Sequence, residues 1–541
     1  MDEREKEFNL LDEPWILVKT KTNETKTWSI LETFQHAHEA QALAGELPTQ
    51  DFAIMRLLLA IMHAAIIDSN IEDKDDAIEC WVELWEMKRF PFDFIRDYLE
   101  QYRERFWLFH PTQPFYQSAN IVQNMKKFKA DKGKAATDGV KSKTVARLVG
   151  DLFQSDNLPR LFPGRTGNSQ LALSYDEAAR WLIHLNGFDD DSAKNPTPKN
   201  VGYLGQLGLV YVKGRNIFET LMLNFVLVNH LDEIFDDCQN DSKAYWEKPV
   251  CEKIERLIAQ PRAQKDLLTM QSRRILLQRE NGMVTGYLLT MGDYFDKEAS
   301  LINEMMTMWK TDEKKGIVPK RHRLDCQIWR DFSALMGMAE CKDDIKLGVV
   351  NWLHLVNKKR VFDTKIFKLA VTGGYYNLKG AGWQIVDYIY DDLSINASLI
   401  NAMNNIWIQE IIAALSKTDR AIFELGKLST NIAEASGDSD KNRKPRLAQT
   451  AREKSYHQLD GVFRQWLLSV DPKQDILEEK MAEWLGIAKN TILRLGDEML
   501  RQCPEQAIVG RIKKDGEKIE RRINAIEACN IFKYKVNMIL G

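Results

Sequence analysis

The segment VTGGYYNLKGAGW (371–383) sets four glycines, Gly373, Gly374, Gly380 and Gly382, around Tyr375, Tyr376, Asn377, Leu378 and Lys379. Glycines there permit tight turns and close backbone approach. The residues between them are types that stack on bases or enter a groove from a protruding tip. A glycine hairpin with packed tyrosines explains the same residues equally well. Phosphate contacts need cations, and these are segregated along the chain. Residues 121–147 hold Lys126, Lys127, Lys129, Lys132, Lys134, Lys141, Lys143 and Arg147 against Asp131 and Asp138. Residues 310–323 hold six Lys/Arg, Lys320, Arg321 and Arg323 among them, against two acids. Together with Lys358-Lys359-Arg360, these runs have the composition that contacts nucleic-acid backbones. Each alone fits a solvated charged loop as well.

Catalytic and metal-binding constellations are missing. The nine histidines are scattered except His36 and His38, a pair that reads as surface, and neither HExxH nor GxSxG occurs. A phosphate-cradling loop fails at its nearest candidate, GKAATDGVKS (133–142), where five residues instead of four lie between the glycines and Val140 precedes the lysine. Gly202, Gly205 and Gly208 form GxxGxxG, which is not the dinucleotide fingerprint. Asp189-Asp190-Asp191 lacks partner carboxylates at useful spacing for Mg²⁺ and points to a solvated turn or helix cap. The seven cysteines are odd in number and form no CxxC, against both a disulfide framework and a zinc ribbon. The expectation is no enzyme, no cofactor and no metal, in a reducing cytoplasm.

The elements that must position these residues come from a chain of 541 residues, enough for two to four domains. It is 44% hydrophobic and 28% charged with a formal charge of −3, so any nucleic-acid surface must come from local segregation. Leu57–Ile67 is about half the ~20 apolar residues of a membrane span, and the acidic start MDEREKEF has no signal core. A cytoplasmic protein without membrane contact is expected. Residues 15–18 and 27–30 read as a β-hairpin. Residues 51–68 read as a helix with Phe52, Met55, Leu58, Leu59 and Met62 on one face and Thr49 or Asp51 as cap. Residues 121–147 suggest a mobile basic loop, and 157–169 and 187–208 two more irregular regions. Residues 272–290 read as a hairpin turning at Glu280-Asn281-Gly282. After Ser394 the strand signals vanish. One helix traced by Ile400, Met403, Trp407, Ile408, Ile411 and Leu415 is followed by Leu447–Leu468, Gln474–Met499 and Glu517–Leu540. The fold class is therefore α+β: a mixed N-terminal domain, 1–393, with long loops, then an all-α antiparallel four-helix bundle, 394–541.

Several patches in order, FNLLDEPWI (8–16), LPTQDFAIMRLLLAIMHA (47–64), FWLFHPTQPFYQ (106–117), SRRILLQRENGMVTGYLLTMGD (272–293), MTMWK (306–310), WRDFSALM (329–336) and FDTKIFKLAVTGGYYN (362–377), resemble the CasA family, the large subunit of the type I-E CRISPR Cascade complex. The resemblance implies a non-catalytic subunit that reads the protospacer-adjacent motif on double-stranded DNA and helps unwind the target to start the R-loop. It implies contact with the crRNA, with the backbone and small subunits of the complex, and with a trans-acting helicase–nuclease. By the same resemblance Arg160, Phe162 and Arg165 meet the crRNA handle, and Asn377, Leu378 and Lys379 form a wedge. Ser192, Ala193 and Lys194 then approach the minor groove, and Lys297 or Tyr294 matches a lysine that some relatives insert there. The chain departs from the pattern at DDDSAKN (189–195), where relatives are glycine-rich, and at Lys379, where some have glutamine. Two other classes compete: a stand-alone nucleic-acid-processing enzyme and a scaffold that binds no DNA.

Overall fold

A computed structural model describes residues 6–67, 71–132, 140, 142–150, 165, 167, 171–190, 201–238, 242–295, 298–337, 345–379, 382–401, 406–438, 440, 442–515 and 519–541. The chain divides into two compact units. One comprises Met1–Leu324, Gly337–Val361 and Lys368–Asp392; the other comprises Asp325–Met336, Phe362–Phe367 and Leu393–Gly541.

In the first unit the Pro48–Ala65 helix is the centre. Pro48 starts it at a position whose N–H would be unsatisfied anyway. The expected caps serve elsewhere: Thr49 Oγ1 lies 3.0 Å from His184 Nε2, and the Asp51 carboxylate accepts the Gly45 N–H at 2.7 Å. The expected single apolar face is also too narrow, because every residue from Phe52 to His63 is buried. A helix buried all round must neutralise its polar residues. Arg56 does so through Glu304, with both guanidinium nitrogens 2.8 Å from its oxygens, and through Tyr203 Oη at 3.0 Å.

The helices Tyr175–Phe188, Gln264–Leu268, Phe92–Gln101 and Ile217–Asn224 pack on it, and the unit also holds several small antiparallel sheets. The hairpin the sequence suggests is present, Ile16–Thr20 pairing with Thr25–Trp28 in the register Ile16↔Trp28, but its second strand ends at Trp28, where Ser29 caps a helix that starts at Ile30. Arg273–Glu280 and Met283–Met291 turn at Asn281-Gly282, whose φ values of 51° and 77° suit this dipeptide in a tight hairpin. The long hairpin Ile366–Lys379/Gly382–Asn396 is joined on one side by Leu209–Lys213, with Lys368↔Lys213 and Thr372↔Leu209.

The described part of the basic stretch, 121–132, 140 and 142–147, holds a helix and a strand where its composition suggests a loop. Ile121–Asp131 is a helix that buries Ile121 and Met125 against Ile254, with Phe128 packed beside them. That stripe, at i, i+4 and i+7, is hidden in the sequence by lysines on the other face. Ser142–Thr144 then pairs with Gly286–Leu288.

The second unit is built on the long helices Ile406–Ala435, Arg443–Ser469, Leu477–Gln502 and Ala525–Leu540. Their core includes Phe463, Trp466 and Trp484, with the two indoles 5.4 Å apart and Phe463 edge-on to Trp484 at 5.0 Å. Strands do not vanish at Ser394. The long hairpin runs to Asn396, and Arg511–Asp515 pairs with Ile519–Ile523 where the final helix was expected to begin. Asn524 cuts that helix short by capping it, its Oδ1 accepting the Glu527 N–H at 2.8 Å. Among the described residues, no helix is long and apolar enough to cross a membrane.

Candidate nucleic-acid interface

The long hairpin has strands of 14 and 15 residues, roughly 46 Å at about 3.3 Å per residue for the first. Its partner strand supports it only as far as Thr372. Gly373 to Lys379 therefore extends beyond the three-stranded part, with Asn377 exposed near its end. Leu378 and Lys379 continue the strand.

Two phenols hold this extension. Tyr376 Oη donates to the carbonyl of Phe188, the last residue of the Tyr175–Phe188 helix, at 2.6 Å. Gly205 makes room for it, since a Cβ there would lie 2.3 Å from that oxygen. On the other strand, Tyr388 Oη donates to the Gly150 carbonyl at 3.1 Å. His184 packs between these contacts, stacked on Phe188 with ring centroids 5.1 Å apart and 5.8 Å from the Tyr388 ring. Burial pushes its imidazole down to about 3, so it stays neutral.

The hairpin is thus tied to a neck formed by Phe188–Asp190 and Val201–Gly205, and that neck is closed by buried charge. Asp189 and Asp190 are not a solvated turn. Arg273 Nε lies 2.5 Å from Asp189 Oδ2 in an ion pair whose side chains are 1% and 2% exposed. Arg273 also donates to the Asp190 carbonyl at 3.0 Å, while Arg147 stands 3.4 Å from the Asp190 carboxylate. The Gly202 N–H closes onto the Asp189 carbonyl at 2.7 Å. A Cβ on Gly202 would come within 2.2 Å of the Gly187 carbonyl oxygen, so only glycine fits there.

A distant basic run is brought to the same place. Arg321 Nε donates to the Gln206 carbonyl at 3.0 Å, and His322 Nε2 lies 2.8 Å from the Leu209 carbonyl. Lys320, Arg321 and His322 therefore lie at the start of the strand Leu209–Lys213, with Arg323 next in sequence. The other basic run goes elsewhere: Lys126 and Lys127 are exposed on a helix packed against Ile254, Lys129 and Lys143 are half-buried, and Lys132 pairs with Glu255 at 3.0 Å. Arg165 is engaged by Glu46 and by Glu177 (2.9 Å), so a phosphate would have to displace a carboxylate. Arg160, Phe162, Ser192, Ala193, Lys194, Lys134, Lys141 and Lys297 lie outside the described residues; Tyr294 is half-buried.

Sequence reasoning missed Trp383, which stands 43% exposed just past the hairpin end. Its signal was present, a tryptophan directly after the glycines of the GGYYNLKGAG segment. It also missed Arg273, whose role depends on a carboxylate 84 residues away. Among the described residues, no group of three or more His, Cys, Asp or Glu is placed to hold a metal ion.

The chain is similar to known proteins over nearly its whole length. It is 28% identical over 342 residues to the CRISPR-associated protein CasA/Cse1 of Thermus thermophilus; the match spans 61% of this chain and 60% of that relative's length. The crystal structure of Thermobifida fusca Cse1 superimposes with a TM-score of 0.80 at 26% identity, covering 99% of this chain and 98% of that one. A chain of a CRISPR RNA-guided surveillance complex shares the fold at a TM-score of 0.71 and 15% identity, with coverage of 98% and 99%. The family model for CRISPR-associated protein Cse1 matches residues 9–495; the chain belongs to the Cse1 family.

Proposed function

We propose that this chain is the non-catalytic large subunit of a CRISPR RNA-guided surveillance complex, reading the protospacer-adjacent motif on duplex DNA and helping to open the duplex beside it. Base pairing with the guide then reads the target sequence, while the protein reads a short motif and holds backbones. The observation that carries this reading is the long hairpin, whose end extends beyond its supporting strand while Tyr376 and Tyr388 tether it to the carbonyls of Phe188 and Gly150.

Basic side chains, including Lys320, Arg321 and Arg323 beside the hairpin and Lys126 and Lys127 on the exposed helix, capture DNA without sequence preference and with strong salt dependence. Ser192, Ala193 and Lys194 sample the minor groove. Asn377, Leu378 and Lys379 wedge between base pairs at a cost of a few kcal/mol of unstacking, and the guide captures the freed strand. Phe162 stacks on a base of the crRNA handle with Arg160 at its phosphate; Arg165 acts by holding that segment to Glu46 and Glu177. The remaining surface serves the backbone and small subunits and the helicase–nuclease.

The test is DNA binding by the reconstituted crRNA complex, with and without this chain, on targets carrying randomised flanking motifs. Motif-dependent binding that disappears without the chain, and weakens on Asn377→Ala/Lys379→Ala, is expected. Equal, motif-blind binding in both preparations would refute the reading.

A further inference from the structure

A cavity of ≈ 750 Å³ opens between the Ile121–Asp131 helix, residues 245–256 and the starts of the strands at Arg273 and Asp293. Sites for small ligands span roughly 300–1,000 Å³. The lining mixes aromatic rings with cations, which is the chemistry that recognises a nucleotide: a π-face for the base and positive charge for the phosphate. The helix brings Phe128 and Lys127, and the second segment brings Tyr245, Lys253 and Arg256.

Charge on this lining is not self-cancelling. Asp293 is held by Arg274 Nη2 at 2.6 Å and Arg256 Nη2 at 2.8 Å, two guanidiniums against one carboxylate. Burial alone would raise the Asp293 carboxyl, but the two arginines outweigh it and hold it below the usual range. Glu255 is taken by Lys132 at 3.0 Å. Lys127 and Lys253 are exposed and have no carboxylate partner among the described residues. They and the surplus guanidinium outnumber Asp131 and Glu252, the acids left on the lining. Tyr116, also on the wall, holds φ at 55°, a left-handed conformation rare for an aromatic residue. Backbone strain of this kind persists where the surroundings enforce it and concentrates at ligand sites.

We propose that this cavity binds a single nucleotide, with its base on Phe128 and Tyr245 and its phosphate on Lys127, Lys253 and Arg256. The site depends neither on the hairpin nor on motif reading. The nucleotide is either a free mononucleotide or one unit of a bound single strand.

The experiment is calorimetric titration of the full-length chain with AMP and, separately, with a short single-stranded DNA oligonucleotide, using adenosine and inorganic phosphate as half-ligand controls. Saturable binding is expected for AMP, identifying a free nucleotide, or for the oligonucleotide alone, identifying a unit of a strand. Lys127→Glu/Lys253→Glu should weaken it at least ~10-fold with an unchanged melting curve. Phe128→Leu, which keeps the apolar packing but removes the π-face, should weaken it roughly 5-fold or more. The proposal fails if neither ligand saturates, or if the lysine variant binds as wild type. It also fails if Phe128→Leu has no effect, which would leave only a backbone phosphate contact, or if adenosine or phosphate alone binds as tightly as AMP.

Discussion

Two β-hairpins of this chain are built from similar parts and supported very differently. Ile366–Lys379/Gly382–Asn396 joins a third strand and is tied by two phenolic hydroxyls to Phe188 and Gly150. Among the described residues Arg511–Asp515/Ile519–Ile523 forms a two-stranded sheet, and Ile512 and Val509 at its start stand 65% and 62% exposed. A two-stranded ribbon is marginal unless a third strand or a packed face supports it. The long hairpin's reach therefore does not come from its own sequence but from what it is fastened to. Its position is set by the neck formed by Phe188–Asp190 and Val201–Gly205, by the Pro48–Ala65 helix through Thr49 and His184, and by the strand Leu209–Lys213.

The largest test of this contrast is to remove the charge that closes the neck. Arg273→Ala takes from Asp189, 2% exposed, the guanidinium that lies 2.5 Å from its carboxylate. Breaking a buried pair from one side costs about 3–5 kcal/mol, because the remaining charge is stranded in low dielectric. Denaturant unfolding should show that loss, and Arg273→Ala/Asp189→Asn should recover part of it. A cost below about 1 kcal/mol would mean that the neck is not what holds the hairpin.

The base of the hairpin carries a pH dependence. Burial pushes the Asp51 carboxyl up to about 7, with the Gly45 amide, Lys213 and Arg180 only partly opposing it. Lys213 in turn lies 3.1 Å from Tyr390 Oη on the hairpin. A carboxyl whose folded pKa is raised contributes stability that is present below its unfolded value near 4 and is lost as pH rises through 7. Asp51→Asn keeps an acceptor for Gly45 without the charge. Its stability relative to wild type should rise by a few kcal/mol between pH 4 and pH 8, at about 1.4 kcal/mol per unit of pKa difference. A flat difference across that range would place the titration elsewhere.

Local signals were legible where short-range chemistry decides. Asn281-Gly282 fixes its turn whatever surrounds it, and the long C-terminal helices follow their apolar spacing. The sequence concealed what depends on distant partners. The Pro48–Ala65 helix looks amphipathic because Arg56 interrupts its apolar run, but Glu304 neutralises that charge and the whole circumference is buried. Asp189 and Asp190 look like a solvated acidic run until Arg273 and Arg147 are brought to them. At the candidate interface, the glycine-bracketed segment 371–383 was visible as a motif. Its tethers were not, because Tyr376 and Tyr388 act on carbonyls of residues 188 and 238 positions away in the chain.

The smallest effects sharpen the contrast between the hairpins directly. Tyr376→Phe keeps the ring beside Gly205 and removes only the hydroxyl that meets the Phe188 carbonyl, a loss of about 1 kcal/mol for a part-buried bond. Hydrogen exchange should quicken at Gly202 and Gly205, whose N–H groups bond to Asp189 and Gly202 within the same neck. Arg522→Ala removes a comparable tie from the other hairpin, where Nη2 lies 2.6 Å and Nε 3.1 Å from the Val509 carbonyl. That bond is exposed, so water replaces it, and the change in stability should stay within about 0.5 kcal/mol. Equal costs for the two substitutions would mean that one hairpin is no better fastened than the other. A larger cost at Tyr376, with faster exchange confined to the neck, is what a tethered hairpin requires.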